Sequence, residues 1–173
     1  ISQSGAFIQA TSAGATTFNA GANKITLTNA SNDITGTLQL ENSGAKDVAV
    51  ATVGALKMGT SNVGTGTLSL TAAGDITQPG GPIKQAASAG VVSVTAGANA
   101  ISLNNSSNSF TGAVSLSNST AKNVSLTTKA DLKLGTVAVG AGTLAITSDG
   151  ALTQSGPITQ EAGALGVTIN AGA

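Results

Sequence analysis

At 173 residues, with seven Lys against seven acidic residues, the chain carries no net charge, and its charged fraction of 8% lies far below the roughly 25% of ordinary globular domains. It has no Cys, Trp, Tyr, His or Arg and only three Phe, which excludes a disulfide scaffold and Cys-ligated metal and leaves no electrostatic attraction to nucleic acid or an anionic membrane. Val, Ile and Thr abound and Pro occurs three times, the reverse of the composition that keeps a segment disordered.

In chain order, the first ten residues, ISQSGAFIQA, contain no basic n-region, and no later apolar run reaches the 18 or more residues of a membrane helix. The chain does not begin with Met, so it is expected to be a mature product or an interior segment whose targeting signals lie elsewhere. FNAGA (18–22) and TNASNDITGTLQLENSG (28–44) follow, and both return 76 positions later as VTAGA (94–98) and NNSSNSFTGAVSLSNST (104–120). The same offset places Gly21 on Gly97, Ile25 on Ile101, Asn32 on Asn108, Lys46 on Lys122 and Lys57 on Lys133; between residues 15 and 74 about half the positions are identical. ISQSGAFI (1–8), ITQPGGPI (76–83) and LTQSGPI (152–158) open three copies, and INAGA (169–173) belongs to the third. The expected organisation is one continuous stack: unit 1 over 1–75, unit 2 over 76–151 and the start of unit 3 over 152–173.

Within a unit, apolar-polar-apolar triplets recur: VSV (92–94), ISL (101–103), VSL (114–116), VSL (124–126), LKL (132–134) and LAI (144–146). This period of two predicts short strands with one buried face, separated by Gly, Asn, Ser and Asp turns, and no segment has a helical period long enough for a stable helix. A sandwich needs large side chains to fill the gap between its sheets, and a membrane barrel needs aromatic girdles; this chain has neither. A parallel β-helix, or β-solenoid, needs only a narrow core of Val, Ile, Leu, Ala and Thr. The all-β solenoid expected here has about nine rungs of about 19 residues, so that a 75–76-residue repeat spans about four rungs and copies stack in line, about 19 Å apart. Leu38, Leu40, Val114 and Leu116 should then point inward, with Gly36, Gly112, Asn32 and Asn108 as structural turn residues.

The segments ITQPGGPI, VSVTAGANAISLNNSSNSFTGAVSLSN and LGTVAVGAGTLAIT resemble the repeats of filamentous-haemagglutinin-like bacterial exoproteins, a class exported by two-partner secretion. The resemblance implies a right-handed parallel β-helix shaft, an outer-membrane secretion partner, folding outside the cell, and a role in adhesion or surface structure. The family's N-terminal secretion domain is not recognisable in this sequence.

Chemistry is sparse. Of the acids Asp33, Glu41, Asp47, Asp75, Asp131, Asp149 and Glu161, the first three become Ser109, Ser117 and Asn123 in the next copy, and no cluster is visible. GTSNVGTGT (59–67) and GTVAVGAGT (135–143) lack the Asp of calcium-binding β-rolls. Their GxG patterns precede strands rather than a helix N-terminus, so they make no phosphate loop. Thr26 and Thr28, a possible ice-ordering pair, become Ser102 and Asn104. No catalytic, cofactor-binding or metal residue is expected. Lys46, Lys122, Lys57 and Lys133 keep their charge in both copies and are the surface-contact candidates. The leading expectation is a non-enzymatic structural and adhesive shaft of an extracellular fibre on the bacterial surface. Its expected partners are other copies or adjoining units of the same fibre and host or surface glycans, with no nucleic acid. The alternatives are a carbohydrate-active β-helix enzyme and a glycan-binding module.

Overall fold

The computed structural model describes residues 1–172; Ala173 of INAGA (169–173) lies outside the described residues. Its backbone coils between two sheets. β1 (Thr16–Gly21) lies in the first sheet and β2 (Ile25–Leu27) in the second; β3 (Thr37–Asn42) returns to the first and β4 (Val48–Thr52) to the second. β5 (Leu56–Met58) and β6 (Ser61–Val63) share the first, and β7 (Leu68–Ala72) lies in the second. β8 (Ile76–Thr77) and β9 (Ile83–Gln85) follow in the first, and then β10 (Val92–Thr95) in the second. The alternation continues through β11 (Ile101–Leu103), β12 (Val114–Ser117), β13 (Val124–Thr128), β14 (Leu132–Val139) and β15 (Thr143–Ser148), with the odd-numbered of these in the first sheet. β16 (Leu152–Gln154) and β17 (Ile158–Gln160) share the second, and β18 (Gly166–Ala171) ends in the first.

Strands pair in parallel with the strand one turn away, which makes this an all-β parallel solenoid, without a helix among the described residues. Ile25, Val48, Leu68, Val92, Val114 and Leu134 stand in one column, one from each successive turn of the second sheet. There are about seven turns of about 22 residues, rather than the nine of about 19 expected from dividing 76 by four. Two triplets make one turn, and the corner segments between them absorb the extra residues.

The longer turn changes how the copies relate. One repeat makes about three and a half turns, so every repeated strand arrives on the opposite sheet. β2 lies in the second sheet and its repeat β11 in the first; β3 and β12, β4 and β13, β5 and β14, and β7 and β15 exchange in the same way. β1, β10 and β18, equivalent in the three copies, fall in the first, second and first sheets. The copies therefore do not stack in line, as the periodicity alone had suggested. They are related by an advance of about 17 Å, at about 4.8 Å per level, combined with a half turn about the axis.

This arrangement keeps the interior uniform. Alternation turns Leu38 and Leu40 of β3 inward, and equally Val114 and Leu116 of β12; all four are buried. The core is made of aliphatic columns such as Leu27–Val50–Leu70–Val94–Leu116 in the second sheet and Ile76–Ile101–Val124–Leu144 in the first. Each such fully buried side chain stabilises the fold by about 1.5–3 kcal/mol. Because like stacks on like at strand spacing, β-branched and leucine side chains fill the gap without aromatic bulk. At the N-terminal end, Phe7 and Phe18 meet edge to face, 5.3 Å between ring centres, against the same core.

Candidate functional site

Asn32 and Asn108 are fully buried, and each closes a staple across successive turns. The Asn32 Oδ1 accepts hydrogen bonds from Gln3 Nε2 at 2.6 Å and from the Phe7 N–H at 2.8 Å, while its Nδ2 donates to Gln3 Oε1 and to the carbonyls of Leu27 and Ala51. In the corner between β11 and β12, opposite the corner between β2 and β3 that holds Asn32, Asn108 repeats the pattern with Gln78, the Ile83 N–H, and the Leu103 and Thr127 carbonyls. The Gln of ISQ and ITQ is thus the partner of an Asn in the following turn, a pairing that sequence reasoning missed although both residues repeat. Thr52 and Thr128 extend the staple by donating to the carbonyls of Asn32 and Asn108.

Gly36 and Gly112 are required by close approach. A Cβ at Gly36 would overlap the carbonyl oxygen of Gly14, and one at Gly112 that of Gly90, each belonging to the preceding turn. Gln9 and Gln85 reach across the same gap, their Oε1 atoms accepting the N–H groups of Gly36 and Gly112 at 3.1 and 3.2 Å.

The acids are dispersed. Asp47 Oδ1 accepts the Thr67 N–H, Asp75 the Ala100 N–H and Asp131 the Ala151 N–H, each at 2.9 Å, so each carboxylate ties one corner to the next turn. The hydrogen bonds from Thr67 hold the Asp47 carboxyl below the usual carboxylate range, with a smaller contribution from Lys46. Its repeat Asn123 makes the same bond, to the Thr143 N–H at 3.0 Å, without a charge. Among the described residues no three His, Cys, Asp or Glu side chains converge as metal ligands would.

The four repeated lysines are exposed. Lys57 stands in the outward column Thr37–Lys57–Thr77 of the first sheet, its Nζ donating to the Thr35 carbonyl at 3.0 Å. Lys133 pairs beside Thr153 on the second sheet. Lys46 and Lys122 occupy corners before β4 and β13, again on opposite sheets. The expected in-line row of lysines is therefore absent: copies face away from each other, because of the half-integral number of turns.

What the fold does assemble is a different column. Asn19 pairs with Glu41, Glu41 with Asn62, Asn62 with Lys84 and Lys84 with Ser109, all pointing outward from successive turns of the first sheet. Asn62 Nδ2 donates to both Glu41 carboxylate oxygens, at 3.1 and 3.0 Å. Asn19, Glu41, Asn62 and Lys84 line an open groove of about 550 Å³, walled by Asn42 and Gln85, that runs along the solenoid axis. Nothing in the sequence signalled it, since its members come one from each turn and belong to no motif.

A family model described as "Repeats of unknown function" (DUF5649) matches residues 1–41, 45–117 and 121–173. The second and third matched segments begin one internal repeat apart, and the first and second end one internal repeat apart, so the family's period is that of the chain itself. No curated protein and no solved structure matches the chain. The matching family carries no filamentous-haemagglutinin name. With nearly the whole sequence matched, the chain belongs to the DUF5649 family of repeats.

Proposed function

We propose that this chain is a segment of the shaft of a bacterial cell-surface or secreted fibre, whose work is to span distance and present surface rather than to catalyse a reaction. The observation that carries this reading is the half-turn repeat. A unit that advances about 17 Å and rotates by half a turn can be added again without changing the core, the staples or the cross-section, so length grows in proportion to the number of units. The acids support a structural role, since Asp47, Asp75 and Asp131 are engaged with backbone amides of the neighbouring turn. Contacts with other copies or adjoining units, and with glycans outside the cell, follow from the same reading, as does export through an outer-membrane partner.

Small-angle scattering on proteins carrying one, two and four additional repeat units tests it. The maximum dimension should rise by about 17 Å per unit at constant cross-section. A particle that instead thickens as units are added would sink the shaft. Antibodies against the repeat should label intact cells of the source organism, and labelling only after permeabilisation would refute the surface location.

A further inference from the structure

The column Asn19–Glu41–Asn62–Lys84 has an equivalent on the other sheet, and the two differ at every position. In the next copy these residues become Thr95, Ser117, Ala138 and, across the shortening of ITQPGGPI to LTQSGPI, Thr159. They also form one column: Thr95 pairs with Ser117, Ser117 with Ala138, and Ala138 with Thr159. About half the positions of the repeat are identical, yet here four in a row along the axis exchange small residues for amides and charges. In sequence these are isolated differences. In space they make one continuous groove.

We infer that this groove binds a neutral, linear oligosaccharide lying along the solenoid axis. Side-chain amides donate and accept at once, and so do sugar hydroxyls; a carboxylate and an ammonium add a pure acceptor and a pure donor. The three steps from Asn19 to Lys84 cover about 14 Å, the span of about three hexose rings. Glu41 and Lys84 cancel in charge, two levels apart, so a polymer charged at every sugar meets a like charge at one of them. Along the groove a peptide strand finds no free backbone edge at Glu41, Asn62 or Lys84, which are paired or bridged on both sides; β1, paired with β3 alone, leaves its other edge open at the N-terminal end of the stack. A second copy offering the same concave face would leave the groove unfilled. The groove lacks aromatic stacking surfaces, which sets the affinity at about the millimolar level. This site gives the glycan contact of the proposed function a place on the molecule and rests on that part of it, while its test needs only the folded segment and can fail with the shaft intact.

Titrating the ¹⁵N-labelled chain with cellotetraose to about 10 mM, roughly tenfold above a millimolar Kd, tests it. The side-chain amide signals of Asn19 and Asn62 should shift and saturate. The triple variant Glu41→Ser, Asn62→Ala, Lys84→Thr carries the residues already tolerated at the equivalent column, so it should fold and lose the shift at Asn19, the side-chain amide it retains, with at least a tenfold drop in affinity. The reciprocal variant Thr95→Asn, Ser117→Glu, Ala138→Asn, Thr159→Lys should acquire new shifts on the second sheet. Absence of shifts in the parent chain, or shifts undiminished in the triple variant, would overturn the proposal. Tighter binding of tetragalacturonate than of cellotetraose would overturn it in favour of a polyanion. A dimer in sedimentation that the triple variant abolishes would assign the face to contact between copies instead.

Discussion

The two sheets of this solenoid are made from the same repeat, and they differ in kind on the outside, whereas buried positions exchange one apolar residue for another, as Met58 for Leu134 and Leu38 for Val114. Inside, Gln3–Asn32 and Gln78–Asn108 make matching sets of hydrogen bonds at opposite corners, and the aliphatic columns continue through both sheets. Outside, the first sheet carries Asn19, Glu41, Asn62 and Lys84 where the second carries Thr95, Ser117, Ala138 and Thr159. The difference follows from where a side chain's neighbours are. An inward residue touches the turns above and below and the opposite sheet, so its volume and hydrogen bonds are constrained. An outward one meets mainly solvent and the residue in register with it, and can change alone.

That contrast can be broken at its strongest point first. Replacing Asn108 by Ala removes the partners of Gln78, of the Ile83 N–H and of two carbonyls in a buried site, and should destabilise the chain by about 3–5 kcal/mol in denaturant titration. Asn32→Ala should match it if the copies are mechanically equivalent. A result near zero for either would mean that the staple is decoration.

Next in size is a pair within one inward column. Ile146 is fully buried and Ile146→Ala should cost about 2–4 kcal/mol, whereas Ile169, one turn further along and 39% exposed, should lose under about 1 kcal/mol. Equal losses would show that β18 is covered in solution by something further.

Smaller still is the pH dependence separating Asp47 from Asn123. The Asp47 carboxyl is held below its unfolded value by the Thr67 bonds, so its contribution is present above the unfolded pKa of about 3.9 and is lost as pH falls through the lower folded value. Asp47→Asn, which copies the second repeat, should flatten that part of the acid unfolding profile and lower stability slightly at neutral pH, where the charged contribution is present, with no difference from the parent at pH below the folded value. An unaltered acid limb would assign the bond no weight.

The weakest effect is expected on the outer face. Glu41→Ser should change stability by less than about 0.5 kcal/mol, as exposed substitutions away from buried networks do, and a larger loss would show that the Glu41–Asn62 pair braces the sheet.

Much of the fold was legible in the triplets. ISL (101–103), VSL (114–116) and VSL (124–126) are strands at those positions, with the apolar residues buried, because alternation at period two leaves a strand with one dry face. Asn32, Asn108, Gly36 and Gly112 stood out as repeated residues in turn-rich stretches. Their partners, Gln3, Gln78, Gly14 and Gly90, lie a full turn away in the chain and came into view only with the register between turns.

Composition and periodicity by themselves determined an aromatic-poor, narrow-cored stack of short strands, repeating at the offset that carries Asn32 onto Asn108, because only a solenoid buries such small side chains in so regular a pattern. The tertiary structure decided that a repeat is three and a half turns. Corner segments of unequal length, not the strands, set the length of each turn, and a small change at each corner separates whole from half-integral turns. From that half turn come the alternation of copies between sheets and the placing of Asn19, Glu41, Asn62 and Lys84 on one sheet with their counterparts Thr95, Ser117, Ala138 and Thr159 on the other.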